Sequence, residues 1–354
     1  MIPQMIAAVF HGSGDVRVEK LAIPTPVEGE VLLKILRSGI CGTDASEYKS
    51  GPKIFPVLNR HPQSGHQGPM VLGHEFIGEI VGEVDDSSDF KSGDLVASGA
   101  GISCGKCSRC QEGRTNLCAN YVTLGLNRDG GLAEYVAVPT STLVRIPAGM
   151  SLDAAGISQP LAVGLHAARR SNVRSGDKVL LIGSGAIGTF VLIGLKHLFD
   201  AEVVVLDFAG SRLDRAARLG ADRTVVVGPN ATQEIKELFG AGGIDVIIEA
   251  SGAPGQLQFA IEMVKRGGTI LQVGLPTTAQ EIDVHKLVMN EIDIRTTLAH
   301  VCGEDLAVSL EILSSSTLAA ELIEGVYPLT EIAHQLDLLS SGKIQGKVLF
   351  DPTI

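Results

Sequence analysis

The first half of the chain alternates short apolar stretches with Gly and Pro. Segments 6–10, 31–38, 76–84, 94–97 and 133–139 each carry the β-branched, half-alternating composition of a short strand, and turn residues separate them throughout. This spacing predicts a compact, barrel-like, mainly β body. From about Asp177 the pattern changes. Apolar runs at 178–183, 202–207, 224–227, 245–250 and 269–273 alternate with helical segments, of which 186–198 is the clearest. Strands that alternate with helices predict a doubly wound parallel sheet, so the fold class is α/β with a second, mainly β domain. The tail predicts a helix over 304–314 and a closing strand over 346–350 that returns to the first domain. The predicted boundaries are 1–158, 159–295 and 296–354, joined by helical segments near 158–170 and 283–292.

At 354 residues the chain exceeds the roughly 250 to 300 at which one hydrophobic core stops growing, which agrees with two domains. Charged residues make up 19%, below the usual share of about 25%, so much surface is expected to be buried, including a subunit interface. The formal net charge of -11, with no basic cluster, argues against nucleic acid and anionic membrane surfaces and suits a small neutral substrate. The start, Met1-Ile-Pro-Gln-Met5, lacks the basic and apolar regions of a secretory signal, which makes the cytoplasm the default. Residues 179–195 form an uncharged run, but Gly183, Gly185 and Gly188 interrupt it at the positions of a strand-turn-helix, so it reads as a soluble core unit.

Gly183-Ser-Gly185-Ala186-Ile187-Gly188 follows a strongly apolar strand and opens a helix. In that context Gly183 makes the turn, Gly185 admits a pyrophosphate to the backbone, and Gly188 lets helix pack on strand. Asp207 ends the next strand, where a carboxylate accepts from the ribose hydroxyls and repels a 2′-phosphate. The expected cofactor is therefore NAD on a Rossmann domain. Arg212 is a further cofactor candidate, as are Val273 and Gly274, whose backbone follows a strand end.

The chain has six cysteines, and a reducing compartment favours metal over disulfides. Cys104, Cys107, Cys110 and Cys118 lie in one Gly-rich loop, 99–119, and four thiolates satisfy a tetrahedral zinc with no position left for chemistry. Such an ion would stiffen a loop too poor in apolar residues to fold alone. Cys41, His74 and Glu75 offer a thiolate, an imidazole and a carboxylate that leave one position open; a buried thiol, a helix-start histidine and a surface glutamate would give the same spacing. Cys302 is left over as a small buried hydrophobe. His61 and His66 flank a Gly/Pro loop and read as exposed.

Gly39-Ile-Cys41-Gly-Thr43-Asp44 and Gly73-His74-Glu75-Phe-Ile-Gly78, followed by the four-cysteine loop and then Gly183–Gly188, resemble the medium-chain zinc-dependent alcohol dehydrogenases. The likeness extends to Lys347. Cys41-Gly-Thr-Asp-Ala-Ser-Glu-Tyr48, Gly51-Pro-Lys-Ile-Phe55, the lengthened His61-Pro62 segment before Gly73-His74-Glu75, and Gln159-Pro-Leu-Ala-Val-Gly-Leu-His166 resemble the polyol and diol branch, which includes sorbitol, threonine and 2,3-butanediol dehydrogenases. The resemblance implies a GroES-like catalytic domain, one catalytic and one structural zinc, NAD, and a homodimer or homotetramer. It also implies that Cys41, His74, Glu75 and Gln159 surround the catalytic zinc, that Thr43 stands beside the substrate oxygen, and that Lys347 lies near the cofactor phosphates.

Three departures matter. Gln159 replaces a carboxylate usual in polyol enzymes; a neutral amide is a weaker ligand and leaves more positive charge on the metal. Ser46 stands where diol enzymes carry a histidine that completes a proton path. No arginine follows Arg295 in Thr297-Leu-Ala-His300, so a long polyol loses an anchor. The expected reaction is reversible oxidation of a small secondary alcohol, diol or polyol to the ketone. An aldose dehydrogenase and a non-catalytic, zinc-stabilised NAD-binding regulator are the alternatives.

Overall fold

The computed structural model describes residues 3–85 and 88–354, which form two compact units: the described residues up to 159 with 301–354, and residues 160–300. The first crossing thus coincides with the start of the helix Ser158–Arg170. The second falls after His300 and not at 283–292: the helix Val284–Asn290 packs on the strand Val264–Gln272 inside the second unit. The C-terminal return accordingly starts at Val301 rather than 296.

In the first unit a seven-stranded sheet is centred on Glu30–Gly39, which pairs antiparallel with Glu75–Val81, Tyr135–Pro139 and Lys347–Phe350. Alternate residues Val31, Leu33 and Ile35 enter a core with Phe76, Ile80, Val96 and Val136, as the period-2 pattern requires. A three-stranded sheet of Asp15–Ala22, Gln4–Gly12 and Met70–Val71 completes this body. The predicted closing strand is present as Lys347–Phe350, all four residues buried, and it joins Ile323–Tyr327 in parallel. Expected helix 304–314 appears as a π-helical turn, Cys302–Leu306, that runs into the α-helix Ala307–Ser315.

The second unit is a six-stranded, all-parallel sheet in spatial order Arg223–Val226, Glu202–Asp207, Lys178–Ile182, Ile244–Glu249, Val264–Gln272, Asp293–Thr296. Counted along the chain this is 3-2-1-4-5-6, the Rossmann order, whose direction reverses between Lys178–Ile182 and Ile244–Glu249. Val179, Leu181, Val203 and Val205 face one core layer with Val191 and Leu195 of the helix Ala186–Leu198; Leu180, Ile182, Val204 and Leu206 face the other. Burial on both faces explains why these strands read as continuous apolar runs. Among the described residues no helix is long and apolar enough to cross a membrane.

Candidate metal centres and nucleotide loop

Cys41 ends the turn after Glu30–Gly39 and is the N-cap of the helix Gly42–Ser50, with extended backbone angles of φ -114° and ψ 160°. Asp44, in the first turn, accepts the Cys41 N–H at 2.8 Å. This reciprocal use of a first-turn carboxylate satisfies an otherwise orphaned donor and sets the direction of the Cys41 side chain. His74 and Glu75 arrive from the strand that pairs with Glu30–Gly39, where Gly39 lies opposite Glu75. A Cβ on Gly39 would sit 2.5 Å from Glu75 Oε2, so this position must lack a side chain for the carboxylate to lie there.

The convergence is close. One ligand atom each from Cys41, His74 and Glu75 lies within 4.8 Å of the others, with His74 and Glu75 buried. Asp44, fully buried, places Oδ1 3.6 Å from His74 Nδ1, beyond hydrogen-bond reach, and neither atom has a hydrogen-bond partner. Burial alone would lower the His74 pKa, but the Asp44 charge and the Cys41 side chain outweigh it and hold the imidazole well above its ordinary value. A site that gathers a thiol, an imidazole and a carboxylate and favours positive charge fits a divalent cation of borderline softness such as zinc. The buried Asp44 carboxylate stands on the Nδ1 side of the ring, close enough to act on it by charge.

Lys347 comes from the closing strand Lys347–Phe350. It is 5% exposed, and its ammonium donates to Glu75 Oε2 and, at 2.7 Å, to the Ile40 carbonyl that precedes Cys41. Two of its three N–H donors are thereby engaged in the first unit. Thr43 Oγ1 is 4.0 Å from Cys41 Sγ, while Ser46, one turn along the same helix, is exposed. Gln159 is buried at the start of the helix Ser158–Arg170, and among the described residues no hydrogen bond joins it to the trio.

The four-cysteine loop also closes on itself. One sulfur from each of Cys104, Cys107, Cys110 and Cys118 lies within 4.8 Å of the rest, and Cys107 Sγ is 3.6 Å from Cys110 and 3.9 Å from Cys118. Backbone N–H groups of Lys106 and Cys107 lower the Cys104 thiol to about 6. Burial and neighbouring thiols push Cys110 up to about 11. Four thiols so close cannot all ionise unaided, and a divalent cation at their centre removes the conflict. Cys302 stands apart and half-buried, its Sγ 3.4 Å from the Thr142 carbonyl and its thiol raised by burial to about 11. His61 and His66 are half-buried rather than exposed, and their rings bond within their own loop, to Ser64 N–H and to the Gly68 and Pro69 carbonyls.

In the second unit Gly185 caps the helix Ala186–Leu198, and a Cβ there would meet nothing within 4 Å; on Gly188 it would be 2.0 Å from the Gly183 carbonyl oxygen. The loop is thus tight underneath and open above Gly185, at a helix N-terminus whose free N–H groups suit a pyrophosphate. Ala186 opens the helix and Ile187 packs on the core. Asp207, 6% exposed, accepts from Ser184 N at 2.7 Å and Ser184 Oγ at 2.9 Å through Oδ2, and from Phe208 N through Oδ1. Arg212 is half-buried, its Nε without a hydrogen-bond partner. Sequence reading missed Arg215, which is buried and donates to the Ser184 carbonyl at 3.3 Å. Its place at the fourth residue after Ser211 on an amphipathic helix was the available signal.

Residues 27–148 match the family model of the alcohol dehydrogenase GroES-like domain, and residues 186–315 that of the zinc-binding dehydrogenases. A sorbitol dehydrogenase from Bacillus subtilis is 34% identical over 83% of this chain and 82% of its own length. The crystal structure of a 2R,3R-butanediol dehydrogenase from Bacillus subtilis superposes with a TM-score of 0.88 at 29% identity, covering 98% of this chain and 99% of the other. An Escherichia coli alcohol dehydrogenase complexed with NADH superposes with a TM-score of 0.85 at 26% identity, covering 98% and 99%.

Proposed function

Because the chain belongs to the zinc-dependent medium-chain alcohol dehydrogenases, oxidoreductases acting on CH–OH groups, we propose that it interconverts a small secondary alcohol or diol and its ketone with NAD. The observation that carries this reading is the convergence of Cys41, His74 and Glu75 within 4.8 Å. When bound, zinc supplies Lewis-acid stabilisation of negative charge on the substrate oxygen, and the nicotinamide supplies a hydride acceptor.

The chain's own residues do the rest. The Asp44 carboxylate, 3.6 Å from His74 Nδ1, supplies a negative charge behind the imidazole. Lys347 holds one oxygen of Glu75. Gln159 belongs to the same neighbourhood through the family likeness, as a weak neutral donor. Thr43 Oγ1 accepts the hydrogen bond of the substrate hydroxyl and passes the proton on. Exposed Ser46, three residues along the helix, stands on the same face and connects Thr43 to solvent through water.

NAD is favoured over NADP by the buried carboxylate of Asp207, with Gly183, Gly185 and Gly188 framing the pyrophosphate and Arg212, Val273 and Gly274 lining the remainder. Solved relatives carry either cofactor, one NADH and another NADP, so the preference for NAD rests on Asp207. A diol such as 2,3-butanediol is favoured over a long polyol by the absence of arginine in Thr297-Leu-Ala-His300. The low charged share, together with exposed Val284, Val288 and Met289, supports a homo-oligomer, and unbridged cysteines support a cytoplasmic setting.

The test has two arms. Cys41→Ala and His74→Ala are each expected to lose one zinc per subunit and at least about 1,000-fold in turnover; wild-type turnover in both would exclude the mechanism. Rates on 2,3-butanediol, sorbitol, threonine and glucose with both cofactors decide the substrate. Rapid glucose turnover alone would favour the aldose reading, which Gln159 motivates.

A further inference from the structure

Outside both cysteine sites, the carboxyl end of the parallel sheet holds a buried carboxylate that no step above uses. Glu249 ends the strand Ile244–Glu249 and is 1% exposed. Its Oε1 accepts from Ser251 N at 2.8 Å, from the Ser251 hydroxyl and from Gly252 N at 3.0 Å; its Oε2 accepts from Gln272 Nε2 at 2.5 Å. The Glu249 backbone carbonyl accepts the Val273 and Gly274 N–H groups at 2.8 and 2.9 Å. Gln272, the last residue of the next strand, donates from the same Nε2 to the Gly274 carbonyl at 2.7 Å.

One amide nitrogen therefore faces two acceptors, a carboxylate and a carbonyl. Only a group with two N–H bonds satisfies both, so the amide cannot be turned round; its Oε1 is buried and has no hydrogen-bond partner. The turn that Gln272 grips is packed to its limit. A Cβ on Gly274 would lie 2.1 Å from Gly252 N and 2.7 Å from Glu249 Oε2. Leu275, the next residue, is 85% exposed.

These groups form one line along the strand ends. A Cβ on Gly183 would be 3.0 Å from Ser251 Cβ, so the pyrophosphate loop abuts Ser251, which bonds Glu249, which bonds Gln272, which holds Gly274. Asp207 lies on the other side of Gly183, on the neighbouring strand. A dinucleotide whose pyrophosphate sits at Gly183–Gly188 and whose adenosine ribose meets Asp207 must extend its other half towards 273–275.

We infer that Gln272 is a positioning residue for the nicotinamide half of the cofactor: by clamping the Gly274 carbonyl to buried Glu249 it fixes the Val273–Leu275 backbone against which that half docks. The inference rests on the dinucleotide reading given above. Gln272 itself touches no reacting atom.

The experiment titrates zinc-loaded protein with NADH and, separately, with ADP-ribose, which lacks the nicotinamide. Gln272→Met keeps the bulk and removes both N–H donors; it is expected to raise the NADH Kd about tenfold and leave the ADP-ribose Kd within about twofold. Retained ADP-ribose binding also reports that the domain is folded. Should the Met variant not fold, Gln272→Asn keeps an amide that cannot reach both acceptors, and the same selective loss is expected. Ser251→Ala, which removes a Glu249 donor without releasing Gly274, should leave the ratio of the two Kd values unchanged. Equal weakening of both ligands by the Gln272 variants, or unchanged NADH binding, would overturn the inference. A wild-type protein that binds ADP-ribose and NADH equally poorly would instead refute the dinucleotide reading on which it stands.

Discussion

Lys347 and Glu75 form a buried ion pair, the lysine side chain 6% and the glutamate 2% exposed, although 272 residues separate them in the chain. The ammonium also binds the Ile40 carbonyl, so a single side chain from the last strand braces both Glu75 and the backbone just before Cys41. In the metal-free protein it is also the counter-charge to Glu75.

Removing it should therefore be costly in a way that depends on metal. Lys347→Met leaves a carboxylate buried and unpaired, which is expected to cost about 3 to 5 kcal/mol in chelator-treated protein. Zinc, by taking up the Glu75 charge, should shrink that loss, and Glu75→Gln in the same chain should recover most of it. Urea midpoints of the single and double variants, with and without zinc, measure all three. An equal loss in both metal states would mean that Lys347 acts only by packing.

The four-cysteine loop carries Lys106, Arg109 and Arg114 between its ligands, and the first two are exposed. If an ion supplies the folding free energy of this loop, its loss opens the backbone locally without unfolding the domain. Cys107→Ser should release one zinc per subunit and speed tryptic cleavage at these three residues by at least about tenfold, because cleavage follows the population of the open loop. Peptide mapping after limited digestion reads the sites. Unchanged cleavage would show that the loop holds itself together without metal.

One oxygen of Asp207 already accepts two bonds from Ser184, and the proposed function asks the same carboxylate to receive the cofactor ribose. Asp207→Ser removes charge-assisted bonds worth about 1.5 to 3 kcal/mol each. It is expected to lower kcat/KM for NAD about 10- to 100-fold and to narrow the preference for NAD over NADP, since the repulsion of a 2′-phosphate goes too. An unchanged ratio of the two cofactors would remove Asp207 from cofactor choice.

How much of this was readable in advance follows sequence distance. The nucleotide loop and the four cysteines are local motifs, and their spacing alone brings their atoms together. Cys41 and His74 lie 33 positions apart, on a helix cap and ahead of a paired strand, and only family likeness linked them. Asp44 and Lys347 act through partners that arrive by sheet pairing, which spacing does not encode. The strand Asp15–Ala22 was missed because its residues are half-exposed and charged, and Asp293–Thr296 because an edge strand with exposed side chains has no continuous apolar run. Glu249 and Gln272 looked like ordinary strand residues. Their roles emerge only once the parallel register sets one beside the other.

Acid should weaken the second unit through two carboxylates at the sheet's other end. Burial would raise the pKa of Asp245, but Lys265 and the Lys178 N–H, 2.8 Å from Oδ2, more than offset this and hold it below the ordinary 3.8. Burial acts likewise on Asp222, where Lys196 and the Val203 N–H at 2.7 Å prevail. A carboxyl with a depressed pKa in the folded state contributes stability that is fully present above the unfolded value near 3.8, and this is lost as pH falls through the lower folded value. The wild-type urea midpoint should therefore hold above about pH 5 and fall steeply below about pH 4. Asp222→Asn with Asp245→Asn should start from a lower midpoint at neutral pH and decline less steeply in acid, because the variant has no such protons to take up. Parallel acid limbs in the two proteins would show that other groups govern the decline.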